Sequence, residues 1–175
     1  MAALASQAVG GRAEQMCVAS TGVIGEWLPM EALRTGIPKA QAALSESGWE
    51  RAAEAIRTTD TFTKCLHTRF RLAGRLVNLV GIAKGSAMIE PNMATMLAFF
   101  ATDAQVAPPL LRQILRQAAN VSFNRLSVDG ETSTSDMALI FANGESGGSL
   151  VAGRTSSGAR RLQSAVDEVS ISLAR

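Results

Sequence analysis

The sequence predicts an α/β protein, because segments with strand periodicity and segments with helix periodicity are mixed along one chain. Strand-like runs occur at residues 62–72, 75–83 and 137–142, and apolar stripes at helical spacing lie before, between and after them. The two kinds of segment do not alternate strictly, which favours a layered α/β sandwich over a doubly wound parallel sheet. With 175 residues the chain is long enough to form one domain with a hydrophobic core.

The first quarter of the chain predicts one short strand and two short helices. Residues 15–20 contain the apolar run Met-Cys-Val-Ala, which indicates a buried strand that ends in a Thr-Gly turn. A helix is expected from Pro29 to Arg34, since proline suits the first helical turn. Gly36 and Pro38 should end that helix, and a second one is expected over residues 39–45.

The next segments predict a helix followed by a hairpin and a third strand. After Gly48, four apolar residues at helical spacing form one face: Trp49, Ala52, Ala53 and Ile56. Residues 62–72 and 75–83 are expected to pair as antiparallel strands joined near Ala73-Gly74. A further strand is expected over residues 95–102.

The last third predicts a helix, a strand, a loop and a second helix. After Pro108-Pro109, one helical stripe collects the apolar side chains Leu110, Leu111, Ile114, Leu115, Ala118 and Ala119. Residues 137–142 predict a final strand, and the glycine-rich residues 144–158 predict a flexible loop. The final helix is expected over residues 159–174.

Composition excludes several classes of function. The formal net charge of +2 is too small to indicate nucleic-acid binding, and no apolar run is long enough to cross a membrane. Two cysteines, Cys17 and Cys65, are too few for a disulfide framework or a metal cluster and fit a reducing compartment. Residues 1–10 lack the features of a secretory signal. We therefore predict a cytoplasmic protein with no structural metal.

Thr95 is the candidate nucleophile, because its hydroxyl directly follows a small residue in an apolar run. Attack on the carbonyl of Ala94, followed by hydrolysis of the ester, would leave Thr95 as a new N-terminus. An α-amine has a pKa of about 7.7–8.0, so an appreciable neutral fraction near pH 7 can take the proton of the hydroxyl. An ordinary buried strand residue is the alternative that the local sequence leaves open.

Five segments give the chain a wider resemblance, which covers about residues 18–143. In chain order they are Ser20–Gly25, Thr58–Phe62, Lys84–Leu97, Ala101–Ala104 and Ser122–Thr134. In this order they resemble the ornithine acetyltransferase family, the self-cleaving bifunctional enzymes of arginine biosynthesis that move acetyl from N-acetylornithine to glutamate. The resemblance implies an αββα-type sandwich, as in the related self-cleaving aminopeptidases.

The resemblance also implies roles for individual residues. It places autocleavage between Ala94 and Thr95 and makes Thr95 both the nucleophile and a substrate contact. The Thr21-Gly22 pair corresponds to the family's oxyanion hole, where backbone N–H groups stabilise the developing charge. Lys84, eleven positions before Thr95, corresponds to the family's substrate-binding lysine. A further substrate contact is assigned to Thr59, with the neighbouring Thr58 left open. Without the resemblance, the local sequence predicts only turns at Thr21-Gly22 and at Thr58-Thr59, and a solvent-exposed lysine at position 84.

The implied reaction is a ping-pong acetyl transfer through a Thr95 acyl-enzyme, with N-acetylornithine as donor and glutamate as acceptor. No cofactor is implied, although some family members also accept acetyl-CoA as the donor. The implied assembly is a heterotetramer of two α and two β chains. The resemblance places both ends of this chain inside a longer family protein. Two alternatives stay open: a self-cleaving hydrolase with an N-terminal threonine, and a non-catalytic fragment.

Overall fold

The computed structural model describes residues 1–23, 25–86, 96–127 and 133–175. These residues form two compact units, 1–48 and 49–175. The candidate residues Ala94 and Thr95 lie outside the described residues.

The first unit consists of two helices and connecting segments. Helix α1 spans Ala2–Val9, a short 3-10 helix spans Ala13–Gln15, and helix α2 spans Met30–Ala42. Helix α1 contacts α2, and none of the described residues of this unit is buried.

Two sequence-based expectations for this unit are wrong. The expected strand at residues 15–20 is absent, because no other described segment of the unit offers a strand to pair with. The two expected helices are one, and it continues through Pro38. Proline removes a single N–H donor, and the turn after it closes normally, since the Ala43 N–H donates to the Lys39 carbonyl at 3.1 Å. Helix α1 was not expected.

The second unit is built on a four-stranded sheet. Helix α3, Trp49–Ile56, comes first, and strands β1, Lys64–Leu72, and β2, Arg75–Lys84, form an antiparallel hairpin. Its turn has positive φ at both Ala73 and Gly74, at 48° and 81°, as in the turns that match strand twist. This confirms the predicted hairpin.

The remaining elements complete an α/β fold. Strand β3, Leu97–Thr102, pairs antiparallel with β2, and helix α4, Pro108–Val121, leads to β4, Met137–Ala142. Strand β4 lies parallel to β3, and the chain ends in helix α5, Ser157–Leu173. The sheet order is β1-β2-β3-β4. No helix of the described segments is long and apolar enough to cross a membrane.

The hydrophobic core lies between the sheet and helices α4 and α5. Strand side chains alternate between the two faces of a sheet, and one face of β2 contributes Val77, Leu79 and Ala83 to the core. Helix α5 contributes buried residues from every turn: Ala159, Leu162, Ala165, Val166, Val169 and Leu173. The side chains of Val80, Ile82 and Lys84 therefore lie on the opposite face, where they are also buried.

The segment between β4 and α5 is more ordered than its glycine content indicates. Val151 forms a bridge with Val106, and its N–H and carbonyl bond the backbone of Gln105 and Ala107, each at 2.9 Å. The Val151 side chain is buried in the core. The expectation of a flexible loop over residues 144–158 is therefore wrong at its centre.

Candidate functional site

The candidate site lies at the edge of the sheet where β2 ends and where β3 and β4 begin. Lys84 is the register partner of Leu97, and Leu97 is the partner of Met137. The residues that adjoin these strand ends, Gly85 and Met96, consequently lie at the same edge. Met96 directly follows Thr95 in the sequence.

Asp60 organises the exit of strand β2. Its side chain is buried, and its two carboxylate oxygens accept hydrogen bonds from the Gly85 N–H at 2.9 and 3.2 Å. The Lys64 ammonium lies 3.4 Å from the same carboxylate and donates to the Gly85 carbonyl at 3.0 Å. Both backbone groups of Gly85 are thus bound by side chains.

Two of the sequence-predicted substrate residues, Thr59 and Lys84, come together here. The hydroxyl groups of Thr59 and Ser86 share a hydrogen bond of 2.7 Å. Ser86 follows Lys84 by two positions, so the Thr59 segment is tied directly to the end of β2. Thr58 is exposed and takes no part in the hydrogen bonds of this segment that the structure describes.

Lys84 is almost fully buried, with 2% of its surface exposed. Burial lowers the pKa of its ammonium group, and the negative charges of Asp60 and Asp136 oppose that effect. The expectation of a solvated lysine at a strand end, which the residues alone indicate, is wrong. The ammonium group of Lys84 therefore lies in a desolvated place with the charges of Asp60 and Asp136 as its counter-charges.

Asp136 is the functional candidate that the sequence interpretation missed. Its Oδ1 accepts a hydrogen bond of 2.7 Å from the Met96 N–H, and the next residue, Met137, donates its N–H to the Met96 carbonyl at 3.0 Å. Burial raises the pKa of the Asp136 carboxyl, while the bond from Met96 and the charge of Lys84 act in the opposite direction. Its position directly before a predicted strand was the available signal, since residues at strand ends often carry function.

The predicted oxyanion pair lies in the first unit. Thr21 is half-buried and Gly22 is exposed, and a Cβ at Gly22 would lie 3.6 Å from the Leu28 side chain. The assignment of Thr21 and Gly22 to an oxyanion hole stays a prediction. Within the described segments, no group of histidine, cysteine, aspartate and glutamate side chains could hold a metal ion.

Comparison with known proteins gives consistent matches. The sequence model of the ArgJ family matches residues 1–175. The chain is 52% identical over 166 residues to the "Arginine biosynthesis bifunctional protein ArgJ" of Methylococcus capsulatus, covering 95% of this chain and 40% of the relative. It is 55% identical over 147 residues to the protein of the same name from Symbiobacterium thermophilum, covering 84% and 37%.

A fungal relative gives a similar result. The mitochondrial ArgJ protein of Schizosaccharomyces japonicus is 49% identical over 152 residues, which cover 83% of this chain and 35% of the relative. The chain therefore spans about two fifths or less of the length of these curated relatives.

Proposed function

Because the chain belongs to the ArgJ family, we propose that it is part of an acetyltransferase of arginine biosynthesis that cleaves itself between Ala94 and Thr95. The observation that carries the proposal is the burial of Lys84 beside Leu97. In this register the desolvated ammonium of Lys84 lies at the end of β2, next to strand β3, which begins at Leu97, shortly after Thr95 in the sequence. The substrates of the proposed reaction, N-acetylornithine and glutamate, both carry a carboxylate that such a cation can bind.

In the proposed reaction the Thr95 hydroxyl oxygen attacks the acetyl carbonyl carbon of N-acetylornithine. The α-amine of Thr95 takes the hydroxyl proton and then gives it to the departing nitrogen, so that ornithine leaves and an acetyl ester remains. The amine of glutamate attacks this ester, and N-acetylglutamate leaves with Thr95 restored. The backbone N–H groups at Thr21 and Gly22 are proposed to stabilise the oxyanion in both halves; losing one such donor typically costs about 2.7–4 kcal/mol.

The proposal extends to the binding residues and to the assembly. Lys84 binds a substrate carboxylate, and Thr59 contacts the same substrate from the segment tied to Ser86. No cofactor takes part. Whether acetyl-CoA also serves as an acetyl donor is a separate question for the assay. The intact protein folds as an αββα sandwich, forms a heterotetramer of two α and two β chains, and acts in the cytoplasm. The fungal relative is named as mitochondrial, so the cellular location has to be measured for each family member.

The decisive experiment follows the mass and the activity of the full-length protein. We expect wild type to separate into two chains, the second beginning at Thr95, and Thr95→Ala to stay uncut and to transfer no acetyl group. Thr95→Ser keeps a hydroxyl and should be cleaved and active at a reduced rate. An uncut wild-type protein that still transfers acetyl would contradict the proposal.

The acceptor is tested separately. Cleaved wild type with acetyl-labelled N-acetylornithine should give labelled N-acetylglutamate in an amount equal to the ornithine released. Free labelled acetate as the main product, with or without glutamate, would identify the protein as a hydrolase.

A further inference from the structure

Two pairs of consecutive residues, Thr59-Asp60 and Gly85-Ser86, are joined by two side-chain links. In the first link the Asp60 carboxylate accepts from the Gly85 N–H, at 2.9 and 3.2 Å. In the second, the hydroxyl groups of Thr59 and Ser86 lie 2.7 Å apart. Asp60 is buried, whereas Thr59 is exposed and Ser86 is half-buried. The hydroxyl link is therefore the one that a ligand from solvent can reach.

The hydrogen bond between the two hydroxyl groups has no fixed direction of its own. Either oxygen atom can be the donor, because each hydroxyl has one hydrogen and two lone pairs. A carboxylate, in contrast, only accepts. When Thr59 donates its single hydrogen to a substrate carboxylate, its oxygen can only accept from Ser86. A bound carboxylate therefore requires Ser86 to be the donor of the bond between the hydroxyl groups.

We propose that Ser86 is a positioning residue that acts through Thr59: its hydroxyl donates to Thr59 Oγ1 and directs the Thr59 hydrogen to the carboxylate of the substrate. This inference rests on the proposed function, because that function makes Thr59 a substrate contact. Ser86 holds the Thr59 side chain in one rotamer before the substrate arrives, so less side-chain freedom is lost on binding. Hydrogen bonds in such a chain also polarise one another, which strengthens the bond from Thr59 to the carboxylate.

The backbone before Ser86 is held by contacts that do not involve the Ser86 side chain. The Gly85 N–H is bound by the Asp60 carboxylate, and the Gly85 carbonyl accepts from the Lys64 ammonium at 3.0 Å. The same ammonium lies 3.4 Å from the Asp60 carboxylate, so the two side chains support each other. Removing the Ser86 hydroxyl should consequently leave the backbone in place, and the effect of the hydroxyl alone can be measured.

The test compares the full-length, cleaved wild type with Ser86→Ala, Thr59→Val and the double variant. We expect Ser86→Ala to melt near the wild-type temperature and to raise KM for N-acetylornithine about three- to fivefold, with kcat within about twofold. Thr59→Val should raise KM about tenfold. Because Ser86 acts through Thr59, the double variant should have the KM of Thr59→Val. Two groups that contact the substrate independently would instead multiply their effects, to about thirtyfold or more.

Two further variants separate positioning from a structural role. Ser86→Thr keeps a hydroxyl and should return KM to within about twofold of wild type. The control is Ser156→Ala, which removes a hydroxyl that accepts from the Ala159 N–H at 3.0 Å and caps helix α5. It should lower the melting temperature and leave KM unchanged, the reverse of Ser86→Ala. If Ser86→Ala is insoluble, Ser86→Cys, whose thiol is a weak donor, is measured instead.

The outcomes are distinguishable. Multiplied effects in the double variant, a wild-type KM for Ser86→Ala, or a Ser86→Thr variant no better than Ser86→Ala overturns the role of Ser86 alone. A Ser86→Ala protein that is not cleaved assigns the hydroxyl to self-cleavage and also overturns the inference. Active wild type with an unchanged KM for Thr59→Val removes the Thr59 contact and the inference together. A wild type that is never cleaved overturns the proposed function itself, and the inference with it.

Discussion

Asp60 binds the backbone of Gly85 directly, through two hydrogen bonds of 2.9 and 3.2 Å from one N–H to the two carboxylate oxygens. Gly85 has a φ of 145°, a backbone conformation that residues other than glycine rarely adopt. The bond therefore fixes an unusual backbone conformation immediately after Lys84. Because Thr59 precedes Asp60, the same contact also sets the position of the Thr59 hydroxyl.

We predict that Asp60→Ala destabilises the full-length protein strongly and Asp60→Asn less. Alanine leaves the half-buried Gly85 N–H without its acceptor and removes the charged partner of Lys64. Breaking a buried ion pair typically costs about 3–5 kcal/mol. Asparagine restores one acceptor but not the charge. Urea unfolding measures both losses.

The control is Asp103→Asn. In the wild type, Asp103 accepts a hydrogen bond of 2.8 Å from the Asn78 N–H, nearer the other end of β2. It should lower the free energy of unfolding without changing KM, whereas Asp60→Asn should raise KM. Equal KM values for all three proteins would show that Asp60 supports the fold only.

Lys84 gives a prediction for the pH dependence of stability. Its pKa is lowered by burial in the folded protein, so between that pKa and the unfolded value of about 10.4 the unfolded chain binds more protons. In this range the contribution of Lys84 to the free energy of unfolding rises with pH. The difference between wild type and Lys84→Met, measured by urea unfolding from pH 7 to pH 10.5, should therefore increase in favour of wild type. A constant difference would mean that Lys84 keeps an ordinary pKa.

Much of the second unit could be predicted because local sequence determines it. The Ala73-Gly74 turn adopts the conformation that such hairpins need, and strand β4 has the predicted bounds. Helix α4 begins at the predicted proline pair, where a missing N–H has no helical partner to lose. In these segments local propensity and tertiary packing favour the same structure.

The remaining features depend on residues that are distant in sequence. The Met96 N–H and Asp136 are 40 positions apart, and no local pattern joins them. In the sequence, Lys84 resembles any polar residue at a strand end. Its burial and its interaction with Asp60 and Asp136 are visible only in the folded structure. In the first unit, the apolar run at residues 15–20 has no described strand to pair with, so strand propensity alone did not decide its structure.

Thr59 and Thr58 can be distinguished by the same substitution at each position. Thr59→Val removes the hydrogen bond to Ser86 while keeping the shape of the side chain, and Thr58→Val is the matched control. We expect KM for N-acetylornithine to rise about tenfold for Thr59→Val, since a hydrogen bond contributes about 0.5–1.5 kcal/mol and the substrate contact is lost as well. A larger effect at Thr58 would move the substrate contact to that residue.

The packing of helix α5 on the sheet depends on the missing side chain of Gly81. A Cβ at this position would lie 2.8 Å from Val169 Cγ1, 2.9 Å from Leu173 Cδ1 and 2.9 Å from Phe100 Cδ1. All three neighbours are buried in the core, so none can move away without displacing others. Gly81→Ala should therefore cost about 1–3 kcal/mol, as overpacked cores typically do.

The control for Gly81→Ala is Gly148→Ala. There the nearest neighbour of a new Cβ is Arg75 Cγ at 3.5 Å, an ordinary contact with a flexible side chain, so stability should change little. Thermal and urea unfolding of the full-length variants measure both effects. Equal stability of Gly81→Ala and wild type would contradict the close packing of α5 on the sheet at Gly81.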